Sequence, residues 1–127
     1  VTRRTIDDLL AESRRGVRRL EPREAYDEMG AGAKLVDTRS ADLLDRDGRI
    51  PGAIELPLSV LEWRVDPASG ARDARIEGPD DRIVLICAEG FSSSLAAARL
   101  RWLGFDRVTD VAGGFEAWKA AGLPTES

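Results

Sequence analysis

The chain has 127 residues, the size of one ordinary domain, and its 43% hydrophobic and 33% charged content is that of a globular fold with a real core. The formal net charge of −4 and pI near 4.9 argue against nucleic acid as a partner, because neutralising phosphates needs a positive surface. With no histidine and one cysteine, the sequence excludes Ser–His–Asp and Cys–His mechanisms, the usual nitrogen and sulfur ligand sets of zinc, and an internal disulfide.

No stretch approaches the roughly 20 apolar residues of a membrane span, so no membrane partner is expected. The opening VTRRTIDDLLAES carries acids and lacks an apolar core, unlike a secretory signal. A cytoplasmic location is the resulting expectation, and a lone thiol agrees with a reducing compartment.

Thr5 to Arg14 predicts a short helix, with Thr5 as cap, Asp7 and Asp8 in the first turn, and Ile6, Leu9 and Leu10 facing inward. Gly16 ends it. Glu21-Pro22-Arg23 starts a second helix through Met29, with Pro22 in the first turn where its missing N–H costs little. KLVDTR is a short apolar run ending at Asp37, followed by a polar helical stretch from Ala41 to Arg46. IPGAIELP reads as a turn feeding a short strand. Trp63 to Asp81 reads as a long surface loop and a candidate pocket wall, since long loops in compact domains often serve function.

Ile83 to Cys87 is a continuous apolar run, the pattern of a strand buried on both faces. Ser93 to Leu103 follows at helical spacing, with Ala96, Leu100 and Leu103 on one side and Arg99 and Arg101 on another, until Gly104. Arg107 to Val111 is a further short strand, and Gly113-Gly114 leads into a last helix closed by Gly122 and Pro124. Strands alternating with helices imply a parallel sheet covered on both sides.

Such sheets bind ligands at the carboxyl ends of their strands, which is where the only cysteine falls. Cys87 ends the central strand and precedes a helix whose first N–H groups lack intrahelical partners. Gly90 lets the backbone turn successive N–H groups inward as an anion-binding nest. A nest or helix N-terminus lowers a thiol pKa from about 8.5, so Cys87 can be activated without an imidazole. Ser92, Ser93 and Ser94 are cap and first-turn residues, with one hydroxyl available to the cradle. The plain alternative is that Cys87 is an inert small hydrophobe in an apolar strand.

Four stretches, in order, carry a family resemblance: LVDTR (Leu35 to Arg39), GRIPGAIELP (Gly48 to Pro57), IVLICAEGFSSSLAAARLRWLGF, and DVAGGFEAWKAAGLP. Together they resemble a single-domain rhodanese over about Leu20 to Thr125, with residues 1–19 as an N-terminal helical extension. The resemblance implies an α/β fold with about five parallel strands flanked by helices on both faces. It also implies sulfur transfer through a persulfide on Cys87, with the N–H groups of residues 88 to 92 stabilising thiolate and persulfide. The loop Ala88, Glu89, Gly90, Phe91, Ser92 and Ser93 would then bind substrate, and Asp37, Arg39, Arg49 and Arg64 are candidate supporting residues. No metal or cofactor is implied. The expected partners are a small sulfur donor, a thiol acceptor and a protein acceptor.

The loop from Cys87 to Ser92 has six residues and ends in serine. Phosphatases and arsenate reductases of similar fold use seven and end in an arginine that clamps an oxyanion. Arg49 stands where the family usually has histidine, Ala88 where thiosulfate-using members often carry a basic residue, and Glu89 adds a negative charge beside the anion site. The donor is expected to be thiosulfate or a low-molecular-weight persulfide; a Glu89 pointing into the cradle would disfavour thiosulfate and favour a persulfide or a partner protein, and one pointing into solvent would have little effect. These departures also keep open a non-catalytic rhodanese-fold module for binding or redox sensing. Phe91 is expected as an apolar lip, Trp118 in the core, and Trp102 half-buried.

Overall fold

The computed structural model describes residues 2–127. Its centre is four parallel strands, β1 (Lys34–Asp37), β2 (Ile54–Glu55), β3 (Ile83–Ile86) and β4 (Thr109–Asp110), in the order β2-β1-β3-β4. β1 and β3 pair along their whole length, with Leu35 opposite Val84 and Asp37 opposite Ile86. Every residue of β3 is buried, as its uninterrupted apolar run predicts. Side chains alternate between the sheet's two faces: Ile83 and Leu85 join one core with Leu61, Ala96 and Leu100, while Val84 and Ile86 join another with Ala25, Phe115 and Trp118.

The helices are α1 (Ile6–Arg14), α2 (Pro22–Gly30), α3 (Ala41–Asp47), α4 (Leu61–Val65), α5 (Ser92–Trp102) and α6 (Gly114–Ala120). Thr5 and Asp8 form a reciprocal capping box that starts α1, and Pro22 opens α2. A fifth strand is only a bridge: Leu20 pairs in parallel with Val111, and Pro22 turns the chain into α2 before pairing extends further. Trp118 is fully buried, donates its indole N–H to the Pro124 carbonyl at 2.9 Å, and meets Tyr26 edge-on.

Three expectations are corrected. Ile6 and Leu9 do not face inward: they are 62% and 50% exposed, because α1 lies on α5 and buries only Leu10 and Ser13. Trp102 is 86% exposed, on the side of α5 away from the core that Leu100 and Leu103 reach. The stretch from Trp63 begins as helix α4, and the loop beyond it closes on itself. Buried Asp73 accepts hydrogen bonds from Arg75 and Arg64, and Ile76 plugs into the core.

The chain leaves β1 toward β2 on one side and leaves β3 toward β4 on the other. Between two such strands the loops at their carboxyl ends part, and a crevice opens. Here those loops begin at Thr38 and Cys87.

Candidate active site around Cys87

Cys87 is 5% exposed at the bottom of a cavity of about 460 Å³. One wall is Thr38, Arg39, Ser40 and Leu43; the other is Pro57, Leu58 and Ser59; Ala88 and Ser92 complete it beside the sulfur. The long loop from Trp63 to Asp81 supplies no part of this lining, contrary to expectation. Arg64 and Arg75 are drawn to Asp73 and Ile76 to the core, while Trp63 is 60% exposed.

The sulfur accepts two backbone hydrogen bonds, from Gly90 N–H at 3.2 Å and Ser93 N–H at 3.4 Å. Gly90 has φ +88°, a conformation that suits glycine, and an added Cβ would lie 2.6 Å from the Gly113 nitrogen. The loop's carbonyls are held from behind. Phe115 N–H donates to the Cys87 carbonyl at 2.8 Å and Glu116 N–H to that of Ala88 at 3.1 Å. The Gly90 carbonyl accepts from Arg19 at 2.8 Å and Arg14 at 3.0 Å. A trans peptide points its N–H opposite to its C=O. These bonds therefore turn the N–H groups of Ala88, Glu89 and Phe91 away from α6 and the N-terminal segment.

Burial pushes the Cys87 thiol up, but the hydrogen bonds offered by Ser92, Ser93 and Gly90 outweigh it and hold the pKa below the ordinary thiol value. Ser93 has one hydroxyl proton, and its oxygen lies 2.7 Å from Asp110 Oδ2. A buried carboxylate takes that proton in preference to sulfur, so the Ser92 hydroxyl and the backbone are the donors left for Cys87. Phe91, not Ser92, is the N-cap of α5, and the three serines fill its first turn. No grouping of metal-ligating side chains occurs among the described residues.

Asp37 and Arg39 form a buried pair. The guanidinium donates to both carboxylate oxygens and to the Gly48 carbonyl, and stacks 3.8 Å from the Phe115 ring centroid. Arg39 lines the cavity with its charge already matched, and its Nη1 has no partner. Arg49 and Arg64 lie outside the lining. Arg49 pairs with Asp45 and Glu55, and Arg64 bonds the Ala71 carbonyl and Asp73. Glu89 is exposed and Phe91 is 56% exposed, and neither is part of the cavity lining.

Asp110, Arg14 and Arg19 bear on this loop without having been singled out. Asp110 is a carboxylate in the short strand stretch between Val108 and Val111, and a buried charge in a strand demands a partner; this is the signal the sequence offers. Nothing local announces that Arg19 answers it or that Arg14 bonds Gly90 and Ser94 beside it.

The family model of the Rhodanese-like domain matches residues 21–121. A sulfurtransferase of Allochromatium vinosum is 33% identical over 99 residues, covering 72% of this chain and 83% of the relative. The thiosulfate sulfurtransferase GlpE of Pseudomonas savastanoi pv. phaseolicola is 35% identical over 103 residues, covering 81% and 88%. Among solved structures, a Rhodopseudomonas palustris protein of unknown function, described as a possible tyrosine phosphatase, superposes with TM-score 0.88 at 31% identity, covering 99% of this chain and 97% of its own. No helix of the described residues is long and apolar enough to cross a membrane. With the family model spanning most of its length and the sheet, crevice and cysteine loop in that arrangement, the chain belongs to the rhodanese-like domain family.

Proposed function

We propose that the chain is a sulfurtransferase that carries sulfane sulfur as a persulfide on Cys87. The observation that carries this reading is the Cys87 sulfur at a crevice floor, accepting N–H groups from Gly90 and Ser93. Donors aimed at sulfur favour the thiolate as nucleophile and then the persulfide anion, with no general base needed. With thiosulfate, the Cys87 thiolate attacks the outer sulfur, the new S–S bond forms as the S–S bond of thiosulfate breaks, and sulfite leaves with the electron pair. An acceptor thiolate then attacks the outer sulfur of the protonated persulfide, gives the acceptor persulfide, and returns the Cys87 thiolate. The setting is a reducing, cytoplasmic one, which keeps both thiols free.

Donor choice follows from the lining. Arg39 is its only cation, and Asp37 already matches that charge, while Glu89 stands on the loop. A dianion such as thiosulfate finds N–H groups but no uncompensated positive charge. A low-molecular-weight persulfide or a protein persulfide is the better donor, and a small thiol or a protein thiol the acceptor. Phosphate-ester hydrolysis is disfavoured, because no arginine closes the loop to clamp an oxyanion.

The test is the intact mass of reduced wild type and Cys87→Ser after thiosulfate or glutathione persulfide. One sulfur gained by wild type alone, and removed by cyanide or a thiol, supports the reading. No gain from either donor overturns it, and Cys87 is then the redox-responsive thiol of a binding or sensing module. Turnover of an aryl phosphate would instead support the hydrolase description given to the Rhodopseudomonas relative.

A further inference from the structure

We propose that Arg14 and Arg19, which precede the family-matched stretch beginning at residue 21, are positioning residues for the sulfur cradle. Both guanidinium groups donate to the Gly90 carbonyl, across more than 70 residues of sequence. By the geometry of a trans peptide, the bond that holds this carbonyl outward fixes the direction of the Phe91 N–H. Each arginine also grips the start of α5. Arg14 Nε donates to Ser94 Oγ at 2.9 Å. Arg19 makes a two-pronged contact with Asp110, whose Oδ2 accepts from Ser93 at 2.7 Å and Ser94 at 2.8 Å. Ser93 is the residue whose N–H reaches the Cys87 sulfur. One network thus holds the carbonyl of Gly90, the residue whose own N–H reaches the sulfur, and the first turn of α5 at Ser93, the second backbone donor.

The charges act in the same sense. Arg19 pairs with the buried carboxylate of Asp110, whereas Arg14 makes no ion pair among the described residues, which leaves an excess positive charge behind the loop. The other charges about the loop are Glu89 and Glu116, both exposed, and Arg39, matched by Asp37. An anion on the sulfur, thiolate or persulfide, is favoured by the excess. A neutral structural strut would need one hydrogen bond to Gly90. Two charged donors on one carbonyl lie on the path a persulfide anion would profit from.

The inference rests on the sulfurtransferase reading for its purpose, but its test does not. The rate of Cys87 alkylation by iodoacetamide against pH reports the thiolate fraction with no sulfur donor present. Arg14→Gln and Arg19→Gln are each expected to move the midpoint upward and to slow alkylation at neutral pH by about threefold to tenfold. Arg14→Lys, which keeps the charge, recovers part of the loss. Arg19→Gln also strips a partner from buried Asp110 and can fail to fold; Arg14→Gln removes no partner from a buried carboxylate and then decides. A folded Arg14→Gln protein with a wild-type midpoint overturns the proposal. If wild type and variants differ as expected but none takes sulfur from thiosulfate or glutathione persulfide, the positioning role stands and the sulfurtransferase reading falls.

Discussion

Gly114 sits so close to Cys87 that a Cβ on it would lie 2.5 Å from the Cys87 carbonyl oxygen and 2.7 Å from the Gly90 nitrogen. The turn that starts α6 is therefore the back wall of the cysteine loop. Its absent side chain is what lets Phe115 and Glu116 donate to the loop's carbonyls.

Gly114→Ala and Gly122→Ala separate that contact from backbone conformation. Both glycines have positive φ, +61° and +73°, but nothing lies within 4 Å of a Cβ at Gly122. Gly122→Ala should cost about 1–2 kcal/mol from the left-handed backbone alone. Gly114→Ala should cost about 3 kcal/mol or more, since the loop backbone must also move. Urea unfolding measures the difference. Alkylation of Cys87 should change only in the Gly114 variant. Equal stabilities would mean that the close approach carries no energetic weight.

The lowered Cys87 pKa predicts how reactivity and stability vary with pH. Burial raises it, and the hydrogen bonds that Cys87 accepts in the cradle, among them the Ser93 and Gly90 N–H groups, lower it further than burial raises it. Alkylation should reach half its maximal rate below the ordinary thiol value of about 8.5. The folded state loses this proton at lower pH than the unfolded chain does. Between the two values the unfolded chain binds more protons, so stability rises with pH there. The contribution is complete above the unfolded thiol pKa and lost as pH falls through the folded one. Wild type should show this rise in denaturant titrations and Cys87→Ser should not. Parallel curves for the two proteins would contradict the shift.

Asp37 and Arg39 bear on stability more than on chemistry. Their side chains are 0% and 1% exposed, and removing one partner strands the other charge in the interior. Asp37→Leu and Arg39→Met should each destabilise the fold by about 3–5 kcal/mol, whereas the double change Asp37→Leu with Arg39→Met should fall well short of the summed single effects. Thermal melting of the three variants checks this. Strict additivity would mean the pair is not coupled.

Much of the fold is legible in local pattern, and the exceptions share a cause. Ile83 to Ile86 announces a central strand because four consecutive apolar residues need cover on both faces, and Cys87 inherits its place at the crevice from that strand. Capping residues and glycines mark the helices for the same local reasons. Ile6, Leu9 and Trp102 were misplaced because helical periodicity gives a face but not what lies against it. α1 packs on another helix through a narrow stripe rather than on the sheet. The hold of Arg14 and Arg19 on Gly90 spans 76 and 71 positions, and no short-range pattern encodes it. Arg64 fails as a site residue for a related reason. An arginine in the last turn of a short helix can reach several acceptors, and here buried Asp73 captures it.

Glu89 offers a direct test of donor selection. It is exposed on the cysteine loop and takes part in no ion pair among the described residues. Its field acts on any anion entering the crevice, more strongly on a dianion than on a singly charged donor. Glu89→Lys should raise the rate of sulfur loading from thiosulfate by about threefold to tenfold at low ionic strength, because both the lost repulsion and the gained attraction favour encounter. The gain should shrink toward physiological salt, where an exposed charge is screened beyond about 8 Å. Loading from glutathione persulfide, limited by thiolate attack, should change less. Glu89→Gln should give an intermediate rate. Stopped loading reactions read by intact mass, at two salt concentrations and with both donors, provide the comparison. If thiosulfate loading is the same in all three proteins and insensitive to salt, loop charge does not select the donor, and the explanation must lie in the uncharged walls around Leu43, Pro57 and Leu58.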